Sequence, residues 1–109
     1  MKKNRVPVLI TTTTATREDA RKIASRLVEE RLAACVQIVE PITSVYTWQG
    51  TIEEEQEILL LIKSTQDLVA PIADLLDRIH PYEVPEIVSI PSEKAHLDYV
   101  DWVLRETRA

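Results

Sequence analysis

The strongest constraint in this sequence is a doubled pattern. Strand chemistry, an amphipathic stretch and strand chemistry again cover about 6–48, and the same order covers about 51–91. Two such units joined by a tight turn predict an α/β fold of the α+β sandwich kind. The expected sheet is a ferredoxin-like β-α-β-β-α-β arrangement with its helices on one face, followed by a C-terminal helix. Residues 6–13 are β-branched and apolar, as a buried strand is. Thr16-Arg17-Glu18-Asp19 offers a helix N-cap with an acid three positions on, and Ala20, Ile23, Ala24, Leu27 and Val28 make one helical face to about Leu32.

From Ala33 to Trp48 the chain returns to strand chemistry, interrupted by Pro41, where a bulge or an edge position is expected. Gln49-Gly50 supplies the turn and Thr51 to Lys63 the returning strand. Its first half is acidic (Glu53, Glu54, Glu55, Glu57) and reads as a solvated arm; Ile58 to Ile62 is apolar throughout, as in a strand covered on both faces. A second helix buries Leu68, Ile72, Leu75, Leu76 and Ile79. Pro71 delays its start, Thr65 or Asp67 is its expected cap, and His80-Pro81 stops it. Val84 to Ile90, bracketed by Pro85 and Pro91, reads as an edge strand. Ser92 is the expected cap of a last helix carrying Leu97, Val100, Val103 and Leu104.

Without a linker or a low-complexity segment, residues 1–109 are expected to form one domain. The single glycine, Gly50, excludes the glycine-rich loops that cradle nucleotide phosphates. The single cysteine, Cys35, excludes an internal disulfide framework and favours a cytoplasmic location; the basic Met1-to-Arg5 start is not followed by a signal-peptide core. The longest purely apolar run, Ile58 to Ile62, is far short of the ~20 residues of a membrane span. A net charge of −5 and central strands without aromatics argue against nucleic acid.

Length points beyond a monomer. Ala33 to Trp48 fully extended would reach about 50 Å, whereas a domain of this size is about 35 Å across. The hairpin must bend at Pro41 or project, and a projecting tip with Ile42, Val45, Tyr46 and Trp48 invites a partner.

The side chains that stand out chemically lie in His80-Pro81-Tyr82-Glu83-Val84-Pro85-Glu86: imidazole, phenol and carboxylates held between prolines. They fit a rigid connection with His80 capping helix carbonyls, or a ligand or metal site. Cys35 fits a buried thiol or a ligand, and Lys63 a solvated strand end or a cation for an anionic ligand. Tyr46 and Trp48 fit interface packing, Tyr99 and Trp102 helix packing, and His96 an ordinary surface position at a helix start.

His80 to Glu86, with Ala33-Ala34-Cys35-Val36-Gln37 and Tyr46-Thr47-Trp48-Gln49-Gly50 leading into Ile52-Glu53-Glu54, resembles the CutA divalent-cation tolerance family over essentially the whole chain. The resemblance implies a ferredoxin-like fold, a homotrimer built through long hairpins, a cytoplasmic location and a non-enzymatic role in the response to metal ions. It implies binding of divalent cations, copper foremost, through His80 and Glu83, with no obligatory cofactor. Family members with a copper site carry Cys and His where this chain has Thr12 and Ile79. An architecture similar to the PII signalling proteins implies a cleft for a small ligand, an anion among the candidates, formed by Cys35, Gln37, Tyr46, Trp48, Lys63 and Tyr82. The competing readings are an enzyme using Cys35, Lys63, His80 and Tyr82 in such a cleft, and a structural trimer that scaffolds a partner.

Overall fold

The computed structural model describes residues 5–108; the basic Met1–Asn4 stretch lies outside them. The order is β1 (Pro7–Thr14), α1 (Arg17–Glu29), β2 (Cys35–Trp48), β3 (Thr51–Thr65), α2 (Val69–Ile79), β4 (Val88–Pro91) and α3 (Leu97–Glu106). The strands form one antiparallel sheet in the order β2-β3-β1-β4, the expected ferredoxin-like arrangement.

Alternation decides which side chains meet the helices. Val8 and Ile10 of β1, and Ile58, Leu60 and Ile62 of β3, are buried with Ala20, Ile23 and Leu27 of α1 and Ile72, Leu75 and Leu76 of α2 in one core. The opposite sheet face is only partly covered. Leu59 and Leu61 are half-buried there, so the apolar run of β3 is sealed on one face alone within this chain. Val39, Val88 and Ile90 are exposed.

Each helix end has a local cause. Thr16 caps α1 by accepting the Asp19 N–H at 3.1 Å. Past its C-terminus, Arg31 adopts φ 57°, the Arg31 N–H bonds the Val28 carbonyl and the Leu32 N–H bonds the Leu27 carbonyl. This is a Schellman turn closed by arginine where glycine is usual. The Arg31 guanidinium donates to the Arg105 carbonyl and the Arg31 carbonyl accepts the Arg108 N–H, fastening α3 to the end of α1. A single 3-10 turn, Gln66–Leu68, leads into α2 and leaves Pro71 in the helix's first turn, where its missing N–H costs nothing.

Three boundaries differ from expectation. Thr65 makes no side-chain capping bond, and its hydroxyl is buried without a partner. Strand β4 has four residues rather than the seven expected from Val84, because Pro85 cannot donate to a ladder and Glu86 instead accepts the Thr11 hydroxyl at 2.7 Å. Ser92 does not cap α3: its hydroxyl donates to the Lys94 carbonyl, and the helix starts four residues later than a Ser92 cap implies, after His96.

The β2–β3 hairpin stands out from the body, giving extents of 47 × 26 × 22 Å. The pairing register shifts between Val39 and Ile42, so Pro41 sits at a bulge on an edge strand. At the tip, Gln49 (φ 50°) and Gly50 (φ 81°) are both left-handed, as a two-residue type I′ turn requires. A Cβ at Gly50 would meet nothing within 4 Å, so Gly50→Ala tests backbone conformation alone. Chemical denaturation should show a loss of about 1 kcal/mol for Gly50→Ala and a smaller loss for Gly50→Asn, which tolerates the left-handed region.

Candidate functional site

The site forms where the α2–β4 connection folds against the base of the hairpin arm. The His80 backbone N–H closes α2 on the Leu76 carbonyl at 2.8 Å. The ring then turns inward, 8% exposed. The Tyr82 N–H donates to His80 Nδ1 at 3.1 Å, so Nε2 is assigned the proton and donates to the Thr13 carbonyl at 2.8 Å. The expected cap on helix carbonyls is therefore replaced by a tie between the connection and β1. The Tyr82 ring lies 4.9 Å from the imidazole, centroid to centroid, and its hydroxyl donates to Glu57 Oε2 at 2.7 Å. One relay links β1, the connection and the arm.

The relay fixes charge as well as position. Burial pushes the Glu57 carboxyl up, but hydrogen bonding from Ser44, Tyr82 and Thr13 outweighs it and holds the group below the usual carboxylate value. Burial, then the bond to Glu57, pushes the Tyr82 phenol well above its ordinary value. At neutral pH the pair is a carboxylate accepting from a neutral phenol.

Beside this pair opens a groove of about 700 Å³. Tyr46, Trp48, Val45 and Val84 give it apolar walls, and Glu55, Glu57, Glu83 and Glu86 give it negative charge. Among the described residues no lysine or arginine lines it.

The residues expected to form one cleft divide into two groups. Tyr46, Trp48 and Tyr82 line the groove, whereas Cys35 and Lys63 are paired at the far end of the hairpin, with Gln37 two residues along. Lys63 lies six positions beyond Glu57 along β3, roughly 20 Å away. A single chain thus unites neither the six-residue cleft nor the Cys35, Lys63, His80 and Tyr82 set of the enzymatic reading. Lys63 is not a strand end, since β3 continues to Thr65, and Cys35 is half-buried. Of the two residues expected to hold a metal, His80 has both imidazole nitrogens hydrogen-bonded, and Glu83 is exposed. Among the described residues no three His, Cys, Asp or Glu side chains gather as a metal centre.

Glu57 was hidden by its neighbours. It closes an acidic run that reads as solvated, yet it is half-buried and held by Tyr82. The available signal was its place immediately before the apolar run, where the arm meets the body.

The Glu57–Tyr82 contact has two pH limits. Glu57's depressed value makes its stabilisation complete above the ordinary carboxylate range and lost as pH falls through the folded-state value. The raised value of Tyr82 makes its contribution complete below the ordinary phenol value and lost only as strongly alkaline pH is reached. Tyr82→Phe should destabilise the protein by about 1–3 kcal/mol at pH 7 and raise the Glu57 pKa, read by carboxyl NMR titration. An unchanged Glu57 titration would contradict this account.

The sequence model of the CutA1 divalent ion tolerance protein matches residues 8–106. A curated relative, the divalent-cation tolerance protein CutA of Thermus thermophilus, is 47% identical over 95 residues, covering 87% of this chain and 92% of that protein. Human protein CutA is 43% identical over 90 residues, and this chain spans about half its length. The Arabidopsis thaliana relative, 38% identical over 101 residues, is named as chloroplastic. Among solved structures, the Thermus thermophilus divalent cation tolerance protein superposes with a TM-score of 0.91 at 44% identity, covering 94% of this chain and 99% of that one. A structure from Archaeoglobus fulgidus, described as a periplasmic divalent cation tolerance protein, gives a TM-score of 0.89 at 35% identity, covering 92% of this chain and 97% of that one. The chain belongs to the CutA1 divalent ion tolerance family.

Proposed function

We propose that this protein is a non-enzymatic, homotrimeric binding protein of divalent-cation tolerance whose ligand groove lies between the hairpin arm and the 80–86 connection. The observation that carries this reading is the arm with its groove. Val45 and Ile52 are 64% and 77% exposed, Tyr46 and Trp48 about 40%, and the partly covered sheet face behind them adds Val39, Val88 and Ile90. So much apolar surface beside an open edge strand fits a second and third copy of the chain. Burying ~1,500 Å² of it per subunit at ~25 cal/mol per Å² would supply tens of kcal/mol before the costs of association.

Assembly would also resolve the divided cleft. Cys35, Gln37 and Lys63 of one subunit would complete the groove of another, giving a small-ligand sensor of the kind the PII-like architecture suggests. Divalent cations would bind through carboxylates such as Glu83, joined by groups of a neighbouring subunit. Copper would lead the first-row ions, because that order holds across nitrogen and oxygen donor sets. The free thiol of Cys35 supports a reducing, cytoplasmic compartment.

Sedimentation equilibrium should give a trimer at micromolar concentration; a monomer would overturn the assembly. Calorimetric copper titration should show weaker binding for Glu83→Gln. His80→Ala should lower the unfolding midpoint and leave copper affinity unchanged, since its nitrogens serve the fold. Loss of copper binding in His80→Ala at an intact oligomeric state would return the imidazole to the metal site.

A further inference from the structure

We propose that the pole of the fold where β1 begins holds one internal water molecule, bound between the side chains of Arg5, Thr65 and Asp67.

Among the described residues, four buried side-chain atoms have no hydrogen-bond partner: Arg5 Nε, Thr12 Oγ1, Thr65 Oγ1 and Asp67 Oδ1. Buried polar groups are paired in folded proteins, so each such atom requires a cause. Thr12 stands apart, on the face of β1 that Val8 and Ile10 turn toward the helices. The other three come together. Pro7 is paired with Thr65 in the sheet, and the Gln66 N–H donates to the Val6 carbonyl at 2.8 Å, so the residues leading into β1 lie against those leaving β3. Asp67 follows in the 3-10 turn, with Oδ1 3.7 Å from Arg5 Nε. That distance allows charge attraction and is too long for a hydrogen bond. Arg5 is also held from the other side: its Nη2 donates to the Thr107 hydroxyl at 2.7 Å, which in turn donates to the Val103 carbonyl at 2.8 Å.

The chemistry of the three atoms selects the occupant. Arg5 Nε can only donate, the ionised Asp67 carboxylate can only accept, and the Thr65 hydroxyl can do either. A cation would face the guanidinium and an anion the carboxylate. An apolar group would leave all three atoms unpaired. Water accepts from Nε while it donates to Oδ1, and it has a further bond for the hydroxyl, which makes the about three bonds usual for an internal water. A gap of 3.7 Å lets one oxygen reach both charged partners at hydrogen-bond length. The bridge joins the start of β1 to the entry of α2 and, through Arg5 and Thr107, to the end of α3.

The sign of one substitution separates a bonded hydroxyl from an unpaired one. Exchanging an unpaired buried hydroxyl for a methyl of the same shape is neutral or stabilising, whereas removing a bonded one leaves its partners short. Thr65 makes no capping bond, so valine there removes no other side-chain hydrogen bond. Thermal unfolding of the full chain in its native assembly should give a lower midpoint for Thr65→Val and a nearly unchanged one for Thr65→Ser. Thr12→Val, at the solitary hydroxyl, should be unchanged or higher. A crystal structure at a resolution that orders internal water should place one water within ~3.2 Å of Arg5 Nε, Thr65 Oγ1 and Asp67 Oδ1. A Thr65→Val midpoint at or above that of the parent chain would overturn the proposal. So would a crystal structure in which Arg5 Nε bonds Asp67 directly, or in which the Thr65 hydroxyl bonds a protein group in place of water.

Discussion

Everything distinctive in this molecule follows from a strand too long for its domain. β3 runs fifteen residues, about 50 Å when extended, through a body whose shorter dimensions are 26 and 22 Å. Its apolar half is held between β1 and β2 in the sheet, and its acidic half has only β2 for a neighbour. The change occurs between Glu57 and Ile58, where β1 ends at Thr14 opposite Ile58. The groove opens at this step because pairing on one side of β3 stops there while the strand continues.

A two-stranded ribbon has little stability of its own, so the arm needs a bond back to the body. Tyr82 supplies one from a connection that prolines keep short of regular structure. The His80 ring, by bonding the Thr13 carbonyl and the Tyr82 amide, sets where that phenol stands. Its chemistry is spent on position. The same residues that look most reactive in the sequence, imidazole and phenol two positions apart, are thus consumed in holding an acid in place.

Much of this was legible in sequence because it depends on local rules. The alternation of β1, the Thr16 cap, the Gln49-Gly50 turn and the interruption at Pro41 are each decided within a few residues. What escaped depends on tertiary neighbours. Ser92 had two uses for its hydroxyl and took the nearer, and Val84 to Ile87 lost strand character because Glu86 found Thr11 across the sheet edge. The site residues were named by type but could not be sorted by position. Nothing in the spacing of Cys35, Tyr46, Lys63 and Tyr82 says that the pairing register sets Cys35 beside Lys63 at one end of the hairpin, away from the groove that Tyr46 and Tyr82 line.

The one glycine of this sequence is committed to the hairpin tip, so α1 has to end on Arg31 in a conformation that arginine adopts reluctantly. That same residue holds Arg105 with its side chain and Arg108 with its carbonyl. The strain of the helix end and the docking of the last helix are therefore a single thermodynamic account. Undocking α3 would withdraw the contacts that compensate a left-handed arginine, and α1 would fray toward Leu27 as a result. The last helix is in this sense part of the first helix's cap, and the end of α1 and α3 open and close as one cooperative unit.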